Sequence, residues 1–101
     1  MSDQTTTTRR TFAVLVQQTV RVTLDPAKFD EAFLAEFRES FYAFHTIEEH
    51  AEHLAQMYAR GLYDGIIQTF IEGYGEMRDM GIAVEVIAQE QEIVTPARDS
   101  R

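Results

Sequence analysis

"DPAKFDEAFLAEFRESFYAF", Asp25 to Phe44, is the stretch in which the hydrophobic period of the chain changes. Before it, the even positions from Phe12 to Leu24 read Phe, Val, Val, Gln, Val, Val, Leu, and the odd positions are mostly polar or small. A period of two marks a half-buried strand. Gln17-Gln18 offers a place for a bulge or bend in so long a strand. Asp25-Pro26 then opens helical structure as an N-cap followed by proline at the first helical position. At 100° per residue, Phe29, Phe33, Leu34, Phe37, Phe41 and Phe44 fill one stripe about 140° wide. Asp30 would fall inside that stripe. A short turn over 26–29, with Asp30 capping the main helix, removes the conflict. The stripe reads as core aromatic packing rather than a cofactor box.

Outward from this stretch, Thr46 and Glu49 make the T-I-E-E pattern of a capping box, and Gly61 is the matching stop. A second helix is expected over 47–60. "IIQTFI" (66–71) reads as a short strand and "EGYGEMRDMG" (72–81) as a ten-residue connection, a length common in functional loops. "IAVEVIAQEQEIV" (82–94) reads as the last strand, alternating Ile82, Val84, Val86 and Ala88 against Ala83 and Glu85. The expected fold is α+β: a small antiparallel sheet of two or three strands with two helices on one face, ordered β-α-α-β-β. Residues 11–94 form a single domain, between flexible tails at 1–10 and 95–101.

With 101 residues, 45% of them hydrophobic, and seven Phe and four Tyr, the chain is expected to bury a modest core. The absence of cysteine excludes disulfides, thiol catalysis and thiolate metal sites, and suits a reducing compartment. No apolar run approaches the roughly 20 residues of a membrane span. "MSDQTTTTRR" has none of the features of a signal peptide. These features predict a soluble, cytoplasmic protein. The formal charge is −8. From Asp25 to Glu92, fifteen acids face only Lys28, Arg38, Arg60 and Arg78, a balance of −11. Such a surface repels phosphate backbones and anionic membranes, and its electrostatic complement is a basic protein.

"HTIEEHAEHL" (45–54) concentrates all three histidines. On a helical wheel, Ile47, Ala51, Leu54, Tyr58 and Leu62 point one way, inward, while Glu49 and His53 lie nearly opposite and His50 lies on the flank near Met57. Only His50 and His53 could share a metal from this helix, and the H-E-x-x-H and E-x-x-H spacings are absent. The stretch reads as a capped, solvated helix, with neither metal nor cofactor expected at His45, His50 and His53. Ser40 is the only serine outside the tails and lies in a helix, and Lys28 is the only lysine. Neither a nucleophile elbow nor a phosphate-binding Gly-Lys motif is present, so no enzymatic activity is expected.

The acids cluster as Glu36/Glu39, Glu48/Glu49/Glu52, Glu72/Glu76/Asp79 and Glu85/Glu90/Glu92. Helix neighbours three or four apart hold carboxylates about 5–6 Å apart, comparable with phosphate spacing on nucleic acid. "GYG" (Gly73–Gly75) is either a flexible turn or the mount of an exposed Tyr74 acting as a binding anchor. The candidate partner-binding residues are therefore Glu48, Glu49, Glu52, Glu72, Tyr74, Glu76 and Asp79.

"EFRESFYAFHTIEEHAEHLAQMYARGLYDG" (36–65), continued by "FIEGYGEMRDMGI" (70–82), resembles segments of small phage and prophage proteins. Small acidic accessory proteins of that kind include anti-CRISPR inhibitors. The resemblance implies a host-directed inhibitor and does not identify its target; taken with the acidity, the expectation is a non-enzymatic inhibitor in the host cytoplasm, bound to the basic surface of a nucleic-acid-binding complex. It carries no functional residue across. The alternative expectation is a homo-oligomeric structural or adaptor module, and behind it a metal-binding protein using His45, His50 and His53. A homodimer would complete an open sheet edge, although the charges in "EVIAQEQEIV" (85–94) guard that edge.

Overall fold

The structure is a computed structural model in which residues 8–94 are described. The tails expected at 1–10 and 95–101 lie outside these residues, apart from the exposed residues 8–10. The fold is α+β. In chain order the elements are β1 (Val14–Thr23), α1 (Glu31–Ser40), α2 (Ile47–Ala59), β2 (Phe70–Ile71), β3 (Gly75–Glu76), α3 (Met77–Met80) and β4 (Ala83–Ile93). The strands form two small sheets, β1 with β4 and β2 with β3. In the β2–β3 hairpin Phe70 pairs with Glu76 and Ile71 with Gly75. The β1–β4 pair is also antiparallel: the Val94 N–H donates to the Ala13 carbonyl at 2.9 Å, and Arg21 meets Glu85 at 2.7 Å. The domain read over 11–94 comprises two compact units, one of residues 8–17 with 89–94 and one of residues 18–88.

The unit of residues 18–88 owes its interior to the aromatic stretch. Asp25 accepts from the Ala27 N–H, and a short turn carries Phe29 inward. Asp30 then caps α1 by accepting from the Phe33 N–H at 2.9 Å, which resolves the wheel conflict in the expected way. Phe29, Phe37, Leu54, Tyr63, Ile71, Tyr74, Met77 and Ile82 make one core cluster. The expected capping box opens α2: Thr46 accepts from the Glu49 N–H, and the Glu49 carboxylate accepts from the N–H groups of His45 and Thr46.

Four expectations require correction. The main helix does not carry the stripe as far as Phe44, because α1 stops at Ser40; Phe41 is its C-cap and is 43% exposed. The strand expected at 66–71 shrinks to Phe70–Ile71 and joins neither β1 nor β4. The connection 72–81 is not an irregular loop but contains β3 and α3. Its tight turns use glycines at positive φ: Gly73 at 92°, where a Cβ would come within 2.9 Å of the Phe37 ring, and Gly81 at 67°. Finally, the buried side of α2 is centred on His50 and Leu54, rotated by about 60° from the expected direction. The aromatic rings of Phe33, Phe37, Phe44 and Tyr74 gather around His50 and draw that side inward. Leu62 lies beyond the helix and is exposed.

Candidate functional site: a clamped apolar loop and its cleft

The segment after α2 reads Leu62-Tyr63-Asp64-Gly65-Ile66-Ile67-Gln68. Tyr63 anchors it: the ring is buried, and its hydroxyl donates to the Leu54 carbonyl at 2.7 Å. Burial pushes the Tyr63 phenol up to about 12, so it stays a neutral donor. Asp64 then folds the next four residues around one carboxylate oxygen. Its Oδ1 accepts from the N–H groups of Ile66, Ile67 and Gln68 at 2.7, 2.8 and 2.9 Å. The Gln68 carbonyl closes the loop by accepting from the Asp64 and Gly65 N–H groups. These backbone donors, Ile66 foremost, hold the Asp64 carboxyl below its ordinary range.

This clamp holds two adjacent branched apolar side chains in water. Ile66 is 85% exposed and Ile67 86%. Leu62 and Phe70, on either side in sequence, are also more than half exposed. An isolated exposed apolar residue is ordinary, but four within nine residues form a concentration that calls for a physical reason.

A cleft of about 590 Å³ adjoins the loop and includes Gly65 and Ile66 in its wall. Tyr58, Met77, Ile82 and Val84 give it an apolar lining. Asp64, Glu76, Arg78 and Glu85 supply its charges, acids outnumbering the single base. Glu76 Oε1 accepts from the Thr69 hydroxyl at 2.8 Å, and Glu85 is ion-paired with Arg21 at the surface.

Of the seven contacts expected from sequence, only Glu76 lines this cleft. Glu48 and Glu52 are exposed on α2, as are Glu72 and Asp79 in their turn and short helix. The Glu49 carboxylate is committed to the capping box, whose backbone donors lower its pKa. Tyr74 contradicts its expected role. It is 6% exposed, and burial raises its phenol pKa, so it is a core residue and not a surface anchor.

The histidine stretch also departs from a solvated helix. His50 is fully buried, with Nδ1 2.7 Å from the Tyr74 hydroxyl oxygen and no partner at Nε2 among the described residues. Burial, then the nearby His53, push His50 down to about 4, so the ring is neutral near pH 7. His53 is half-buried against Tyr42 and Phe44, and His45 is exposed before the cap. Among the described residues, no group of three or more His, Asp or Glu side chains is arranged to hold a metal ion.

The loop is hidden in the sequence because a run rich in Ile, Thr and Phe has the composition of a strand. The overlooked signal was Asp64-Gly65, a pair whose first member can hydrogen-bond the backbone ahead of it and whose second tolerates positive φ. No helix of the described residues is long and apolar enough to cross a membrane. No family model, curated protein or solved structure matches the chain.

Proposed function

We propose that the chain is a non-enzymatic binding protein that occupies a basic surface of a nucleic-acid-handling complex, in the manner of a phage-type inhibitor. One observation carries the reading: Asp64 clamps Ile66 and Ile67 in solvent beside an acid-rich cleft. Burying such a side chain is worth roughly 1.5–3 kcal/mol, which the free protein forgoes and a partner recovers. The clamp lowers the ordering cost of docking, because the loop is already folded. Asp64 and Glu76 beside the isoleucines, with Glu48, Glu52, Glu72 and Asp79 elsewhere on the surface, favour an encounter with Lys- and Arg-bearing surfaces over nucleic acid itself. The complementary partner surface is an apolar recess ringed by basic residues.

The test is affinity capture from lysate of a bacterial host, washed at low and high salt, with DNA or RNA added as competitor. The expected result is recovery of a nucleic-acid-binding complex that competing nucleic acid displaces and salt weakens. Charge reversal by Glu76→Lys, alone and with Glu72→Lys and Asp79→Lys, should reduce recovery in steps. Recovery unchanged by all three reversals together and by competitor rejects the reading.

A further inference from the structure

The wall of the cleft beside the Asp64 loop includes Ile82, Ala83, Val84, Glu85 and Val86 in unbroken succession. Side chains alternate between the two faces of a strand, so Ile82, Val84 and Val86 leave the backbone on one side and Ala83 and Glu85 on the other. A cleft bounded by all five therefore runs along the edge at the start of β4 and not over one of its faces. Ile82 belongs to the core cluster and Val84 packs against it, so this edge is held in place from within.

The edge is open. β4 pairs with β1 alone, and the β2–β3 hairpin forms a separate sheet. Among the described residues, β4 thus has no strand on the side away from β1, and an unpaired edge is a template for a further strand. At about 3.3 Å per residue, residues 82–86 offer an edge about 13 Å long, enough for a segment of four or five residues. The cleft volume of about 590 Å³ suits an occupant of that size.

The sign of the occupant follows from carboxylates that are already positioned. Asp64 commits Oδ1 to three N–H groups and Glu76 commits Oε1 to the Thr69 hydroxyl, which leaves the second oxygen of each for a cation. With Glu85, three acids in the wall stand against one base, Arg78. A second copy of this edge would set those acids against their own kind, and a phosphate backbone would meet the same repulsion. An extended peptide with apolar side chains for Tyr58, Met77 and Val84, and Lys or Arg side chains for Asp64 and Glu76, satisfies both the lining and the charge.

We infer that the cleft receives an extended basic segment of the partner protein, which adds as a strand to the open edge of β4 at residues 82–86. This strand addition deepens the proposed function, on which it rests for the partner being a basic protein. Main-chain hydrogen bonds supply the affinity, while the apolar lining and the two carboxylates select the sequence.

Fluorescence anisotropy of a labelled hexapeptide, valine alternating with lysine or arginine, tests this against the full chain. The expected result is saturable binding that rising salt weakens, with slower amide exchange over residues 83–86. Glutamate at the basic positions of the peptide should weaken binding by about tenfold or more. N-methylation of every second peptide amide, in one phase or the other, should also weaken it by about tenfold or more, because it removes the donors that face β4. Glu76→Gln should weaken binding about two- to fivefold, and Arg78→Gln should tighten it by a similar factor. Absence of binding, self-association through this edge in place of peptide uptake, or parent-like affinity in both N-methylated peptides overturns the inference. Peptide binding as expected, with no nucleic-acid-handling complex captured from lysate, keeps the edge site and rejects the proposed function. A captured complex that excess peptide fails to displace rejects the edge site alone.

Discussion

His50 Nδ1 and the Tyr74 hydroxyl oxygen lie 2.7 Å apart, joining α2 to the turn of the β2–β3 hairpin inside a shell of phenylalanine rings. Each side chain is the other's polar partner, so removing one leaves an unsatisfied group in the core. His50→Leu or Tyr74→Phe alone should destabilise the fold by about 1–3 kcal/mol. The double variant should cost clearly less than the sum, since it removes both polar groups together. Urea unfolding of the four proteins of the cycle measures this. Additive losses would mean that the hydrogen bond does not couple the two sites.

The same burial gives a pH dependence. His50 has a folded-state pKa of about 4 against an ordinary 6.5. Between those values the unfolded chain binds the proton and the folded chain does not, so falling pH favours unfolding. The stability due to neutral His50 is whole above about pH 6.5 and is lost progressively down to about pH 4. The total loss is about 3 kcal/mol. Thermal melts across this window should show the decline, and His50→Leu should flatten it. An equally steep decline in that variant would assign the effect to other groups.

Gly81 ends α3 at a φ of 67°, and a Cβ there would lie 2.5 Å from the Cβ of Asp25. Gly81→Ala combines backbone strain with a collision at the turn leading to α1. It should destabilise the fold by more than about 1 kcal/mol. Gly61, at a φ of 80°, has no atom within 4 Å of such a Cβ, so Gly61→Ala incurs the backbone penalty alone. Denaturant midpoints should rank Gly81→Ala well below Gly61→Ala.

Asp64 makes the loop rigid through one oxygen. Asp64→Ala removes the acceptor for three N–H groups, so amide exchange at Ile66, Ile67 and Gln68 should accelerate together. Asp64→Asn retains a carbonyl oxygen and should show a smaller acceleration. Exchange at these three amides that is fast in the unaltered protein and unchanged by Asp64→Ala would remove the clamp from the account.

Much of the fold was legible because its signals are local. The Asp30 cap, the Thr46–Glu49 box and the alternation of β1 and β4 each depend on neighbours a few residues away. The errors occurred where distant contacts decide. His50 is polar and lay on the flank of the wheel, but the rings of α1 and Tyr74 enclose it. Tyr74 sits between two glycines among acids, yet its turn folds it onto Phe37. Ile66 and Ile67 have the composition of a buried strand, but hydrogen bonds to the Asp64 carboxylate and the Gln68 carbonyl fold the segment into a loop. The candidate site was therefore legible in its acidity and illegible in its apolar centre.

The most direct measurement is equilibrium binding of the captured partner to the wild-type chain and to Ile66→Ser/Ile67→Ser, at fixed salt. Both isoleucines are exposed in the free protein, so the variant should melt as the wild type does. The expected loss of affinity is about 100-fold or more. Wild-type affinity in that variant, with binding still abolished by charge reversal at Glu48 and Glu52, would place the interface on α2 and contradict the loop as its centre.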